Sequence, residues 1–209
     1  MEELNIVSDN LIQTQIIKKS KFIAYIFDAN KDSYQAILKQ LKREHLSATH
    51  ICYAYRFCAS NLDDMVSGEL DITQGYFDDG EPSGTAGAPI LKSILDNNIV
   101  NTLVAVVRYF GGVKLGASGL IKAYKTSADM VTKQATRPIL KAKIYSISLN
   151  YSQFNSLNSF LTNNSIKLLE KNFDDNVVIK IALTNLSDLN LIKGYVLDKD
   201  IVYLGEKFI

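Results

Sequence analysis

Cysteine is scarce in this chain. Cys52 and Cys58 are its only two, which excludes a disulfide framework and suits a reduced compartment. With His45 and His50 as the only histidines, the paired Cys-x₂₋₄-Cys and His-x₃₋₅-His spacing of a structural zinc site is missing as well. Long hydrophobic runs are missing too: stretches such as Leu103 to Val107 fall far short of the roughly 20 residues that cross a bilayer. The start, Met1-Glu2-Glu3-Leu4, lacks the basic and apolar regions of a secretory signal, so cytoplasmic residence without a membrane partner is the expectation. No repeat or low-complexity tract breaks the chain. Nor does one sign of charge dominate, because 23 Lys and Arg face 22 Asp and Glu for a net charge of +1.

That balance hides a local asymmetry. Residues 59–91 hold seven acids (Asp63, Asp64, Glu69, Asp71, Asp78, Asp79, Glu81) and no Lys or Arg. Residues 97–143 hold eight bases (Arg108, Lys114, Lys122, Lys125, Lys133, Arg137, Lys141, Lys143) against Asp129 alone. Either the two segments neutralise each other in the fold or the second presents a basic face to phosphate. The 209 residues, 47% of them hydrophobic, suffice for one large domain or two unequal ones with a buried core.

Seven of the eleven glycines lie between Gly80 and Gly119, in two blocks flanking one hydrophobic strand. Glycine loses the most chain entropy on folding, so such crowding is expected where backbone turns sharply or approaches something closely. The second block, Arg108-Tyr109-Phe110-Gly111-Gly112-Val113-Lys114-Leu115-Gly116-Ala117-Ser118-Gly119, leads into a helix. Its open N–H groups and dipole, with Lys122 and Lys125 on the next turns, suit a phosphate or carboxylate. The alternative is that these glycines only allow close strand–helix packing. No Gly-Lys-Ser/Thr follows, so this is not a Walker A loop, and the Gly-x-Gly-x-x-Gly fingerprint is absent. The run Leu115 to Gly119 bears a faint similarity to the phosphate loop of GHMP-type kinases.

The first block, Asp78-Asp79-Gly80-Glu81-Pro82-Ser83-Gly84-Thr85-Ala86-Gly87, offers two readings. Asp78, Asp79 and Glu81 beside Ser83 and Thr85 have the chemistry to hold a hard cation or ligand. A turn with a helix cap, or pairing with the basic block, explains them with less, and no metal or cofactor is expected. His50 and Cys52 share a strand face, but no third group orients them as a nucleophile pair, and no catalytic residue is assigned. Tyr53, Tyr55 and Phe57 alternate on the other face, as a core or as a base-stacking platform.

The periodicities predict a hairpin (Leu11 to Lys18 with Phe22 to Phe27) and a helix capped by Asp32 and running to about His45. They then predict a strand at Ile51 to Phe57, a long loop to Ile72, and a short strand near Thr73 to Phe77. A helix capped by Ser83 or Thr85 carries Ile90, Leu91, Ile94 and Leu95. A doubly buried strand follows at Thr102 to Val107. The last N-terminal helix is expected from Ala117 to Thr136, with Leu120, Ile121, Tyr124, Ala128 and Val131 inward and Pro138 as its stop. Beyond a boundary at 138–142 the order is β-α-β-β-α-β: strand Ile144 to Leu149, helix Gln153 to Leu161, strands Ile166 to Asn172 and Val177 to Leu183, helix Leu189 to Leu197, strand Ile201 to Phe208. This is the ferredoxin-like split motif.

Three segments carry a family resemblance: Thr49 through Arg56, Asp78 through Ala88, and Val106 through Gly116, extended by Leu120-Ile121-Lys122-Ala123-Tyr124. In these the chain resembles the IMPACT/YigZ family, in its bacterial two-domain form, over essentially its whole length. Ser118 stands where that family usually has glycine. The resemblance implies an α+β protein of two domains. The first, residues 1–138, is similar to domain IV of elongation factor G and to GHMP kinases. The second, residues 142–209, is similar to domain V of elongation factor G. It also implies a role in translational control under amino-acid starvation, a stress response known for eukaryotic relatives. The expectation is therefore a regulatory binding protein contacting RNA, the ribosome or a protein of the translation machinery through Arg108, Gly111, Gly112, Lys114, Gly116, Ser118, Lys122 and Lys125. Three or four phosphate contacts would give a log–log salt slope of about −2 to −4. The alternatives are an enzyme acting on a small phosphorylated substrate held between the two glycine blocks, and an interaction module using the acidic stretch from Asp63 to Asp79.

Overall fold

The computed structural model describes residues 4–58, 71–164, 166–185 and 187–209. They form a mixed α/β chain that divides into two compact units, residues 4–58 with 71–139 and residues 140–209.

The first unit is built on a five-stranded antiparallel sheet of order β2-β3-β6-β4-β5. Its strands are β2 (Leu11–Ile17), β3 (Ser20–Asp28), β4 (His50–Cys58), β5 (Ile72–Phe77) and β6 (Thr102–Tyr109). Side chains alternate between faces, so β4 sends Cys52 and Ala54 one way and Ile51, Tyr53 and Phe57 the other. Helices α2 (Gly87–Asp96) and α3 (Ala117–Thr132) cover the Cys52 face. There Phe22, Ala24, Ile26, Val104 and Val106 pack against Ile90, Ile94, Leu120, Tyr124 and Val131. Helix α1 (Tyr34–Glu44) covers the opposite face, with Leu38 and Leu41 over Ile51, Phe57, Leu103 and Val107. Central β6 is buried on both faces up to Arg108, as its β-branched run predicts.

Several boundaries differ from the sequence expectation. The N-cap position of helix α1 is Ser33, not Asp32, without a capping bond from its side chain, and Asn30 organises the start by accepting from the N–H groups of Asp32 and Ser33. Helix α3 ends at Thr132, not Thr136. The chain beyond it forms β7 (Thr136–Ile139), which pairs antiparallel with β1 (Leu4–Val7), a small sheet the periodicities missed. Pro138 is tolerated there because both strands are edges. Ile121, expected inward, is 45% exposed because it falls off the buried stripe of Leu120, Tyr124 and Val131. The acids Asp63, Asp64 and Glu69 lie outside the described residues.

The second unit runs β8 (Lys141–Leu149), α4 (Tyr151–Asn163), β9 (Lys167–Phe173), β10 (Val177–Leu183), α5 (Ser187–Ile192), β11 (Ile201–Phe208). The sheet order is β11-β8-β10-β9, with every neighbouring pair antiparallel. Each helix thus joins strands separated by an intervening one, the split βαβ arrangement. Tyr145, Ile147, Leu149, Val177, Ile179 and Ile181 pack beneath Leu157, Leu161 and Ile192. Asn150 opens α4 with a reciprocal capping box to Gln153. Helix α5 stops at Ile192, before the expected Leu197, with Gly194 just beyond its end.

Candidate functional site

The two glycine blocks meet on the Cys52 face of the first unit, where they border one pocket of about 450 Å³. His50 of β4, Arg108 of β6 and Glu81 from the turn after β5 line its sheet side. Lys114, Gly116 and Ala117 line its loop side, and Phe110, Leu115 and Leu120 add apolar wall. Register explains the convergence, since Arg108 sits opposite both His50 and Phe22 across neighbouring strands.

The blocks do different work. In the first, the Asp78 carboxylate turns inward and accepts from the N–H groups of Gly84 (2.9 Å), Ala86 (3.1 Å) and Gly87 (2.7 Å). Helix α2 is therefore capped by an anion supplied by the chain, not by Ser83 or Thr85. Thr85 Oγ1 donates to the Pro82 carbonyl at 2.6 Å, and Ser83 is exposed. Asp79 accepts from the Ile51 N–H at 2.6 Å through its carboxylate. These acids are committed to backbone, and no group of three or more metal-ligating side chains occurs among the described residues.

The second block leaves its helix open. Gly116 is the N-cap of α3 with φ +75°, and among the described residues no side chain is seen accepting from the first turn. Leu120 N–H bonds back to Gly116, while the amides of Ala117, Ser118 and Gly119 belong to the unpaired first turn of the helix. Ser118 is helical and exposed, so glycine's freedom is not needed there. Gly111 is needed, because a Cβ on it would lie 2.0 Å from the Lys19 carbonyl.

The bases divide sharply. Arg108 is only 5% exposed and Glu81 only 8%, and the two form a buried ion pair. The guanidinium lies over the rings of Phe22 and Phe110, each centroid at 5.5 Å, and its Nε has no hydrogen-bond partner among the described residues. Glu81 also accepts from the Tyr124 hydroxyl at 2.7 Å. Lys125 is taken up by Asp129 (2.6 Å) and Asp96 (3.2 Å). Lys114 and Lys122 remain exposed, with no ion pair among the described residues. The neutralising reading of the charge asymmetry thus holds for Glu81 and Arg108, while Lys114 and Lys122 stay exposed.

Behind the pocket, Cys52 Sγ donates to the Asp78 carbonyl at 3.0 Å and lies 3.5 Å from the Tyr124 hydroxyl. Burial pushes this thiol up to about 12 and raises the Tyr124 hydroxyl also, so both stay protonated. The aromatic row of β4 is core: Tyr55 and Phe57 stack on each other and pack against Tyr34 of α1, while Tyr53 packs against Phe77. Sequence reasoning weighed His50 only as a partner of Cys52 and did not place it beside Arg108 and Glu81. Its Nδ1 lies 2.8 Å from the Asp79 carbonyl and its Nε2 lies 3.9 Å from Glu81. Its position opposite Arg108 on a neighbouring strand is the signal, and only pairing register reveals it.

The Impact N-terminal domain family matches residues 18–132, over half of the chain and including every element around this pocket. The chain belongs to the IMPACT family. IMPACT family member YvyE of Bacillus subtilis (strain 168) is 34% identical over 164 residues, 78% of this chain and 71% of that protein. IMPACT family member YigZ of Escherichia coli (strain K12) is 30% identical over 174 residues, 80% and 79% of the two chains. A solved structure described as that of a hypothetical protein aligns with this IMPACT chain over 98% of both, with a TM-score of 0.57 and 26% identity. Among the described residues, no helix is long and apolar enough to cross a membrane.

Proposed function

We propose that this protein is a translation-associated regulatory binding protein, which takes a phosphate of RNA at the open start of α3. The observation that carries the reading is the contrast between the two glycine-lined helix starts. That of α2 is filled by Asp78, whereas that of α3 faces the pocket without a side-chain cap, beside Lys114 and one turn from Lys122. Family membership supports the translational setting, and the split βαβ order of the second unit is consistent with the expected likeness to domain V of elongation factor G. Because Arg108 and Lys125 are neutralised internally, the contact is narrower than the basic segment suggests. Two lysines give a salt slope of about −1 to −2, shallower than the −2 to −4 expected from the full set. Filter binding of structured RNA across a salt series tests this: Lys114→Ala with Lys122→Ala should abolish the slope and leave the melting temperature unchanged. RNA binding that ignores both substitutions, or no RNA binding at all, defeats the reading.

One observation favours a second reading, an enzyme acting on a small phosphorylated substrate. Both glycine blocks border a single pocket of ligand size, not a convex basic face. Turnover of a phosphate ester, abolished by Lys114→Ala, would establish it in place of the first.

A further inference from the structure

We infer that the pocket holds a ribose phosphate, and that His50 Nε2 reads the sugar's 2′-hydroxyl. The inference rests on the pocket being the phosphate contact and deepens it by naming the ligand's chemistry.

A carbonyl oxygen can only accept, so the 2.8 Å contact to Asp79 assigns the proton of the neutral ring to Nδ1. Nε2 then carries the free lone pair of a ring that lines the pocket. At 3.9 Å from Glu81 it is too distant to share a hydrogen bond, and the Glu81 oxygen it faces is already occupied by Arg108 and Tyr124. Among the described residues Nε2 has no other partner. The pocket therefore presents a fixed acceptor on its sheet side and donors on its loop side, the latter being Lys114 and the uncapped amides at the start of α3.

Arg108 is 95% buried in the wall of the same pocket, and its Nε has no hydrogen-bond partner among the described residues. Held by Glu81, it offers the cavity little net charge but keeps the carboxylate from repelling an anion. Phe110 and Leu115 supply apolar surface between donors and acceptor. A matching molecule bears an anionic oxygen group, a ring with an apolar face, and a neutral donor. A nucleotide unit with a 2′-hydroxyl has all three, and a deoxynucleotide unit within a strand has no sugar hydroxyl to donate. A volume of about 450 Å³ is within the range of small-ligand sites.

The experiment compares fluorescence anisotropy of matched oligoribonucleotide and oligodeoxyribonucleotide, with adenosine 5′-monophosphate and its 2′-deoxy form as competitors. One hydrogen bond predicts a preference for the ribose form of about five- to tenfold. In His50→Asn the side-chain amide can keep the Asp79 bond but offers nothing at the Nε2 position. It should lower ribose binding to the deoxyribose level and leave the latter unchanged, which also shows that the variant is folded. His50→Gln, which places an amide oxygen near that position, should retain part of the preference. Competition by the mononucleotide would identify a free nucleotide as the source, and its failure against a bound strand would identify RNA; either supports a ribose phosphate. Equal binding of both sugars, or a His50→Asn variant that weakens both alike, overturns the role of His50 while leaving the phosphate contact standing. If neither strand nor mononucleotide binds, both the inference and the function it rests on fall.

Discussion

At the scale of single residues, the decisive pair is Arg108 and Glu81. Each side chain is about 95% sequestered, and a buried charge without its partner costs far more than the pair contributes. Glu81→Gln should therefore destabilise the protein by about 3–5 kcal/mol, read as a drop in the urea midpoint; a surface-like change below about 1 kcal/mol would refute the burial argument. The same desolvation silences Cys52. With its thiol pushed up to about 12, the reactive thiolate is about one part in ten thousand at pH 8. Native protein should resist iodoacetamide at Cys52 while urea-unfolded protein is alkylated rapidly, with mass spectrometry as the readout.

At the scale of elements, the glycine-rich turns set where the pocket forms. Gly111 lets the loop after β6 pass against Lys19 and Ser20, and its N–H donates to Ser20 Oγ at 3.1 Å. Gly111→Ala drives a methyl into backbone that is held by strand pairing, so a loss of about 2 kcal/mol or more is expected in thermal or urea unfolding. Asp78→Ala removes three amide contacts from the start of α2 and should cost about 1–2 kcal/mol without touching the open end of α3. Strands with strong alternation or full burial were legible in the sequence, β6 and β10 most clearly. The β1–β7 sheet was not, because four-residue strands carry little periodic signal and Pro138 resembles a helix stop. The cap of α2 was missed for a related reason: its anion comes from Asp78, nine residues before Gly87, far beyond the local capping pattern.

At the scale of the whole molecule, stability should fall in two steps on the acid side. Burial lowers His45 below the ordinary imidazole value of 6.5, where it bridges the Tyr25 and Tyr109 hydroxyls. The unfolded chain then takes up this proton first, so stability is complete above pH 6.5 and declines as pH falls toward the lowered folded value. The second step involves Asp96 and Asp129. Hydrogen bonds from Lys92 and Lys125 lower Asp96; burial opposes the shift at Asp129, but bonds from Lys125 and Ser93 prevail and lower it too. Their stabilisation is complete above the unfolded value of 3.8 and is lost as pH falls through the depressed folded values. Urea midpoints from pH 7.5 to pH 3 should show both declines, with His45→Gln flattening the first alone.

Family, the order of elements in the second unit and the position of both glycine blocks were all readable from the chain, since each depends on near neighbours or on contiguous motif runs. Which cations stay free was not. Arg108 and Lys114 are only six residues apart, yet one is sealed against a carboxylate 27 positions earlier and the other is exposed to water. Whether a charge is available depends on the dielectric around it and on what the fold brings within a few ångströms, and strand register sets both.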